Sequence, residues 1–222
     1  MKFSQPSQAL ILAFLSAVFF SQVLLPVFWW SAKAERFVNK KFYSPVVESF
    51  VFQNSQKPNL TGSIEVVKAS SGFSYFKPTR ELRQRDLRFK LSIPKLKIDQ
   101  ANALVDSVDF LNSLAHFPGT AIPGEVGNAF VTGHSVLPQF YDPGNYKTIF
   151  SKLDQLAVGD VVQVEVDGKI LRFFVQNSKI VDPEDLSVLL PPDDAGSFLT
   201  LMTCVPPGVA SYRLVVTAKL ES

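Results

Sequence analysis

Hydrophobic positions follow three different patterns along the chain. Residues 9–30, ALILAFLSAVFFSQVLLPVFWW, form an uncharged 22-residue run. About 20 apolar residues cross the hydrocarbon core as a helix. Trp29 and Trp30 end the run, where indoles favour the membrane interface. The pattern predicts an N-terminal transmembrane helix within an anchor at residues 1–34. Residues 35–87 mix short apolar patches (Val46, Val47, Phe50) with breakers such as Gln56-Lys57-Pro58-Asn59 and Ser70-Ser71-Gly72, and read as a spacer. Residues 81–88, ELRQRDLR, read as a solvated charged face.

From residue 88 to 222 the pattern becomes short β-like runs separated by turns. Phe89-Lys90-Leu91-Ser92-Ile93 alternates with period two until Pro94. Residues 103–105 and 128–132 are further strand candidates. VVQVEV at 161–166 and KILRFFV at 169–175 flank Asp167-Gly168, a pair that favours the type I′ hairpin turn. Residues 197–203 and 213–220 supply the last two strands. Residues 146–156, with Ile149, Phe150, Leu153 and Leu156 at helical spacing, predict a short helix. Six to eight strands with one or two short helices predict a mainly β domain, a closed or nearly closed barrel.

Composition narrows this picture. A length of 222 residues, 46% hydrophobic, suits one domain plus an attachment segment. A formal net charge of +2 argues against disorder and against a nucleic-acid binder driven by gross charge. The one Cys excludes an internal disulfide and a multi-Cys zinc site. Ala32-Lys33-Ala34 has the form of a signal-peptide cleavage site, but the apolar run exceeds the ~7–15 residues of a signal core, which favours an uncleaved anchor. Lys33, Arg36, Lys40 and Lys41 follow the run and only Lys2 precedes it. That bias alone would hold the domain in the cytoplasm, although the rule is weak for long translocated domains.

Cys204 ends a strand-like run and precedes a Pro-Pro-Gly turn. His134 follows Thr132-Gly133 at the end of another strand, and Arg213 begins the last one. A thiol is activated by deprotonation beside cationic groups. An imidazole supplies such charge and then protonates a leaving amine. A guanidinium offers fixed N–H donors to an oxyanion. Cys, His and Arg at three strand ends would complete an acyl-transfer site.

Leu199-Thr200-Leu201-Met202-Thr203-Cys204, with Thr132-Gly133-His134 upstream and Arg213 downstream, resembles the signature of the sortases, membrane-anchored cysteine transpeptidases of bacterial surfaces. Residues 91–96 (LSIPKL) resemble that domain's opening strand and residues 117–124 (FPGTAIPG) its loop before the TGH strand, so the resemblance covers 88–222. It implies an eight-stranded sortase barrel, with Cys204 as nucleophile, His134 as general acid/base and Arg213 as substrate and oxyanion clamp. It also implies cleavage of an LPXTG-like sorting signal between Thr and Gly through a thioacyl-enzyme. The acyl group would pass to an amine on a cell-wall precursor or a pilin lysine. The implied site faces outward, so the resemblance places the domain outside the cell membrane. CVPPG and the nine-residue step from Cys204 to Arg213 resemble the pilin-polymerising class C. Residues 35–90 lack that class's Asp-Pro-aromatic lid motif, and the chain ends just after the last strand, so a single-anchor class D or E sortase, or an unclassified relative, matches as well.

Further site candidates surround these three. Thr203 and Val205 flank the nucleophile and enter the substrate-binding set. Strand alternation turns Thr203 to the face opposite Cys204, and Val205 can offer a backbone N–H to the oxyanion, which Pro206 and Pro207 cannot. Leu186 and Leu189, in an apolar stretch, complete the set as a groove wall by family analogy. His116 is the alternative base, outside the motif. Asp182, Glu184, Asp185, Asp193 and Asp194 read as a solvated loop. Some sortases bind calcium near this loop, but no cofactor is expected here. A cysteine hydrolase on the same site, and a tethered β-domain that only binds a partner, are the competing functions.

Overall fold

The computed structural model describes residues 5–25, 28–29, 64–68, 74–78, 87–109, 111–208 and 210–221. They fall in two units, Met1–Lys41 and Phe42–Ser222. In the first unit, helix α1 covers Gln5–Phe19. At Phe20–Leu24 it gives way to wider π turns, and the Leu25 amide donates to the Phe20 carbonyl. Leu10, Phe14, Phe19 and Trp29 are exposed. Ser16 and Ser21 donate to the Ala13 and Val18 carbonyls at 2.9 Å, so neither hydroxyl lacks a partner. At 1.5 Å per residue α1 is ~22 Å long, short of the ~30 Å hydrocarbon core. No helix among the described residues is long and apolar enough to cross a membrane. The 22-residue transmembrane span expected from the sequence is therefore not shown. The Ala32-Lys33-Ala34 site, the basic residues after it and most of the charged stretch at 81–88 lie outside the described residues.

In the second unit, strands β1 (Ile64–Lys68) and β2 (Ser74–Pro78) pair antiparallel, so the segment expected to be a spacer contains a hairpin. Eight further strands follow: β3 (Arg88–Ile93), β4 (Ile98–Leu104), β5 (Leu114–His116), β6 (Gly127–Thr132), β7 (Val161–Val166), β8 (Lys169–Val181), β9 (Ser197–Val205) and β10 (Tyr212–Leu220). They close a barrel in the order β10-β8-β7-β3-β4-β5-β6-β9. The pairs β4–β5 and β6–β9 are parallel and the others antiparallel. Closure leaves no unpaired barrel edge. The β7–β8 hairpin turns as expected: Asp167 and Gly168 have φ of 49° and 73°, the left-handed pair of a type I′ turn.

Period-two alternation fills the interior. Phe89, Leu91 and Ile93 of β3 are buried while Lys90 and Ser92 between them are half-buried. The register carries the same face around the sheet, through Val164 opposite Leu91 and Val216 opposite Leu201.

The helix expected at 146–156 is replaced by turns and a short 3-10 segment, Leu153–Gln155. Its amides bond three residues back, as in Thr148 to Asn145, Ser151 to Thr148 and Leu153 to Phe150. The Phe150 amide donates instead to the His134 carbonyl at 3.0 Å, a tertiary bond that takes the donor an α-helix would need. Ile149, Phe150, Leu153 and Leu156 are all buried, so the apolar spacing marked burial correctly and local geometry wrongly.

Candidate active site

Strand β9 has two covered faces. Leu199, Leu201 and Thr203 point with the barrel interior; Phe198, Thr200, Met202 and Cys204 point outward, because successive side chains alternate. In the β9–β10 register Arg213 lies opposite Cys204 and Val215 opposite Met202. In the parallel β6–β9 register Phe130 lies opposite Thr200 and Thr132 opposite Met202. His134, two residues beyond Thr132, therefore comes level with Cys204, and the Gly133 amide still donates to the Met202 carbonyl at 3.2 Å. Cys204, His134 and Arg213 thus share one level and one face at the barrel's end.

Reciprocal bonds hold this level. The Thr203 hydroxyl donates to the Gly133 carbonyl at 2.8 Å, and the Ser135 hydroxyl donates to the Cys204 carbonyl at 2.5 Å. The residue before the cysteine thereby grips the residue before the histidine, and the residue after the histidine grips the cysteine. Gly133 allows the close approach. A Cβ there would lie 2.7 Å from Phe150 Cδ2 and 2.9 Å from Leu114 Cδ2, both on fully buried side chains. Thr203, placed in the substrate-binding set yet on the face opposite Cys204, is 3% exposed, and its hydroxyl supports the site from behind. Ser135 was not expected: a serine beside a histidine carries no signal until the two strands meet.

Arg213 is 4% exposed. Its Nη1 donates to the Ala210 and Tyr212 carbonyls, both at 2.9 Å, which fixes the plane of the guanidinium. Burial pushes the Cys204 thiol pKa above its usual value, and the Arg213 charge pulls it partly back. Burial lowers the His134 pKa, and the Lys147 charge lowers it further. Both shifts favour the neutral thiol–imidazole pair. Arg213 is the charge that opposes burial at the thiol.

Beyond Cys204 the outward face is a buried apolar cluster in which Phe130, Val215 and Phe117 pack together with half-buried Met202. The 3-10 segment Leu186–Leu189 packs on this cluster, with Leu189 buried and Leu186 partly buried. Asn128, which the sequence reading missed, ties this segment to β6 and β9. Its Nδ2 donates to the Val188 and Leu189 carbonyls at 3.1 and 3.3 Å, and its Oδ1 accepts from Thr200 at 2.7 Å. The Val205 side chain is buried on the interior face.

His116 is fully buried on the interior face, opposite Val131. Its Nε2 lies 2.8 Å from the Ala121 carbonyl and 3.1 Å from Thr120 Oγ1, so it pins a loop and does not approach the thiol's face. The loop carboxylates hold turns: Asp185 accepts from Ser187 N, and Asp193 from Ala195 N and Gly196 N. No group of three metal-ligating side chains occurs among the described residues.

Comparison with known proteins converges on one family. A sequence model of the sortase domain matches residues 91–221. Among solved structures, the Clostridium perfringens sortase D5 transpeptidase is 26% identical, covering 64% of this chain and 83% of that one at a TM-score of 0.52. Sortase A from Corynebacterium diphtheriae is 30% identical, covering 62% of each chain at 0.53. A pilus-related sortase C of Group B Streptococcus is 26% identical, covering 65% and 72% at 0.54. No curated protein matches the chain.

Proposed function

Because the chain belongs to the sortase family and is a cysteine transpeptidase by that membership, we propose that it cleaves an LPXTG-like sorting signal between Thr and Gly and transfers the acyl group to an amine at the cell surface. The observation that carries this reading is the pairing of Arg213 with Cys204 at one level, with His134 brought alongside by the β6–β9 register. The Cys204 thiolate attacks the threonyl carbonyl, and a tetrahedral oxyanion forms. Arg213, its plane fixed by two carbonyls, and the Val205 amide donate to that oxygen. His134 protonates the departing glycyl amine, which leaves a thioester on Cys204. An incoming amine then attacks the thioester, His134 takes its proton, and the C–S bond breaks, releasing the new amide and the Cys204 thiolate. The surface beside Leu186 and Leu189 receives the apolar residues of the signal. The acceptor is an amine of a cell-wall precursor or a pilin lysine.

We also propose attachment to the outer face of the cell membrane through residues 1–34. The support is the apolar, exposed side chains of α1 and the residues after it. Retention of the chain in the membrane fraction, with the barrel open to protease added outside intact cells, checks this; a barrel protected in intact cells refutes it.

The reaction is tested by incubating the purified protein with an LPXTG peptide, with and without triglycine, beside Cys204→Ala, and reading intact masses. A thioacyl adduct on the wild type alone, resolved by triglycine into a ligated product, is the expected result. Hydrolysis with no ligated product marks a cysteine hydrolase, and no adduct with any peptide of a sorting-signal library refutes the reading.

A further inference from the structure

His134 opens a built loop, and the cation of that loop comes back to the imidazole. Residues 135–150 leave β6 after His134 and return to it, because the Phe150 amide donates to the His134 carbonyl at 3.0 Å. The Val136 amide donates to Ser151 Oγ at 2.9 Å, so the two ends are joined twice. Two tyrosines pin the loop to the corner before β4 and to β4 itself. The Tyr141 hydroxyl donates to the Leu96 carbonyl, with Lys152 Nζ 4.5 Å from its ring centroid. Tyr146 Oη accepts from the Asn102 amide at 3.0 Å. Asp142 and Thr148 close the inner turn: the Asp142 amide donates to Thr148 Oγ1 at 3.0 Å, and that hydroxyl donates to the Asp142 carbonyl at 2.8 Å.

Lys147 is the only basic residue between Ser135 and Phe150. It is exposed, and the turn around it bonds three residues back, Thr148 to Asn145 and Ser151 to Thr148. Such a turn rises ~2 Å per residue, so Lys147 stands about 6 Å from Phe150, which is bonded to His134. Its ammonium acts on the His134 ring and lowers the imidazole pKa. No carboxylate pairs with that ammonium among the described residues. The acid of the loop, Asp142, accepts from the Gly144 amide at 2.9 Å instead. An unneutralised cation is unfavourable at this place, because His134 must itself become cationic when it takes the acceptor's proton. The repulsion is removed if the acceptor brings an anion to Lys147.

The strand order sets the side of approach. In the row formed by β6, β9 and β10, His134 and Arg213 stand on opposite sides of Cys204. The donor's carbonyl oxygen takes the Arg213 side, and the departing and incoming amines take the His134 side, where the loop lies. We propose that Lys147 reads the acyl acceptor: its ammonium pairs with a carboxylate on the same carbon as the attacking amine, so the acceptor is an amino-acid-type amine. An isolated lysine side chain, whose amine-bearing carbon has no carboxylate, is the poorer acceptor. This rests on the transpeptidase reading for the use of the site, but not for the anion contact itself. The bound carboxylate neutralises Lys147, and His134 becomes a stronger base as the amine gives up its proton. The covalent step is unchanged: nitrogen bonds to the thioester carbon, its proton passes to His134 and the C–S bond breaks.

The test uses the full chain, wild type, Lys147→Met, Lys147→Arg and Lys147→Glu. The acyl-enzyme formed from an LPXTG peptide is resolved with glycine or with glycinamide, which differ in the carboxylate beside the amine. Taking the ratio of the two kcat/KM values within each variant cancels any change in His134 that both acceptors share. That ratio should fall about three- to five-fold in Lys147→Met, as for an exposed ion pair. It should fall further in Lys147→Glu and persist in Lys147→Arg. At high salt the wild-type ratio should approach that of Lys147→Met. A second readout needs no donor peptide. The chain has two histidines, and His116 is fully buried, so NMR follows the His134 ring signal while glycine or glycinamide is added. Glycine should move that signal saturably in the wild type and not in Lys147→Met, and glycinamide should move it in neither. An unchanged ratio in Lys147→Met overturns the proposal, and so does a ring that glycine leaves unmoved. A ring moved by glycine, with no thioacyl adduct from any sorting peptide, supports the anion contact and counts against the sorting-signal reading.

Discussion

Thr203→Val separates a support role from a substrate contact. Valine keeps the shape of threonine and deletes the hydroxyl that donates to the Gly133 carbonyl at 2.8 Å. Both residues are buried, so water does not replace the bond, and a buried group losing its partner costs ~1–3 kcal/mol. For a chain of this size that is a fall in Tm of roughly 2–12 °C. The same bond sets where Gly133 sits, and His134 follows it directly. A misplacement of ~1 Å in a catalytic group costs on the order of 100-fold. The expectation is that kcat falls between about ten-fold and 100-fold while KM stays within about two-fold. Steady-state kinetics on the sorting peptide, with thermal melts of the same samples, measure both. Thr203→Ser keeps the donor and should retain most activity. A rise in KM alone would return Thr203 to the substrate-binding set, and equal losses in the Val and Ser variants would refute the hydroxyl bond as the cause, because serine keeps that donor.

Four other outcomes follow from the same geometry. Arg213→Lys keeps the charge but loses the planar fork anchored on the Ala210 and Tyr212 carbonyls, so kcat/KM should fall about 100- to 1,000-fold. Arg213→Gln removes the one charge opposing burial at the thiol; the Cys204 pKa then rises, and the alkylation–pH profile must move to higher pH. An unmoved profile would exclude electrostatic coupling between the two. Ser135→Ala deletes the hydroxyl bond to the Cys204 carbonyl and should lower kcat by roughly ten-fold, for a bond worth about 1.5 kcal/mol, with recovery in Ser135→Thr; no recovery would point to packing. Gly133→Ala drives a methyl into Phe150 and Leu114, so both Tm and kcat should drop, and an unaltered melt would show that the two side chains can yield.

Much of the site was legible because its residues terminate strands that alternate cleanly. Cys204 sits near the end of β9, His134 just past the end of β6 and Arg213 near the start of β10, each beside a strand whose pattern is readable. The β7–β8 hairpin was legible through Asp167-Gly168, since few dipeptides favour two successive left-handed residues. Other parts were not. Strand β5 has three residues, too few for a period to show. The expected helix at 146–156 failed because the His134 carbonyl claims the Phe150 amide, a partner 16 residues away in the chain. The hairpin at 64–78 was hidden among breakers, and the burial of Phe76 depends on residues far along the chain.

The sequence by itself determined the chemistry and the order of its parts: a lone thiol, an imidazole and a guanidinium, each beside a strand of readable period. These properties are local, because side-chain chemistry and alternation reside in a few adjacent residues. Tertiary structure decided which residues serve them. Thr203 and Ser135 became clamps because β6 and β9 run parallel in one register. Asn128 became the tie of the Leu186–Leu189 segment because residues 60 positions on fold over it. Phe76 became a buried ring because β2 packs on Phe130 of β6 and Val215 of β10. Each is a contact between distant segments, and such contacts exist only after barrel closure sets the register and so the face on which every side chain stands.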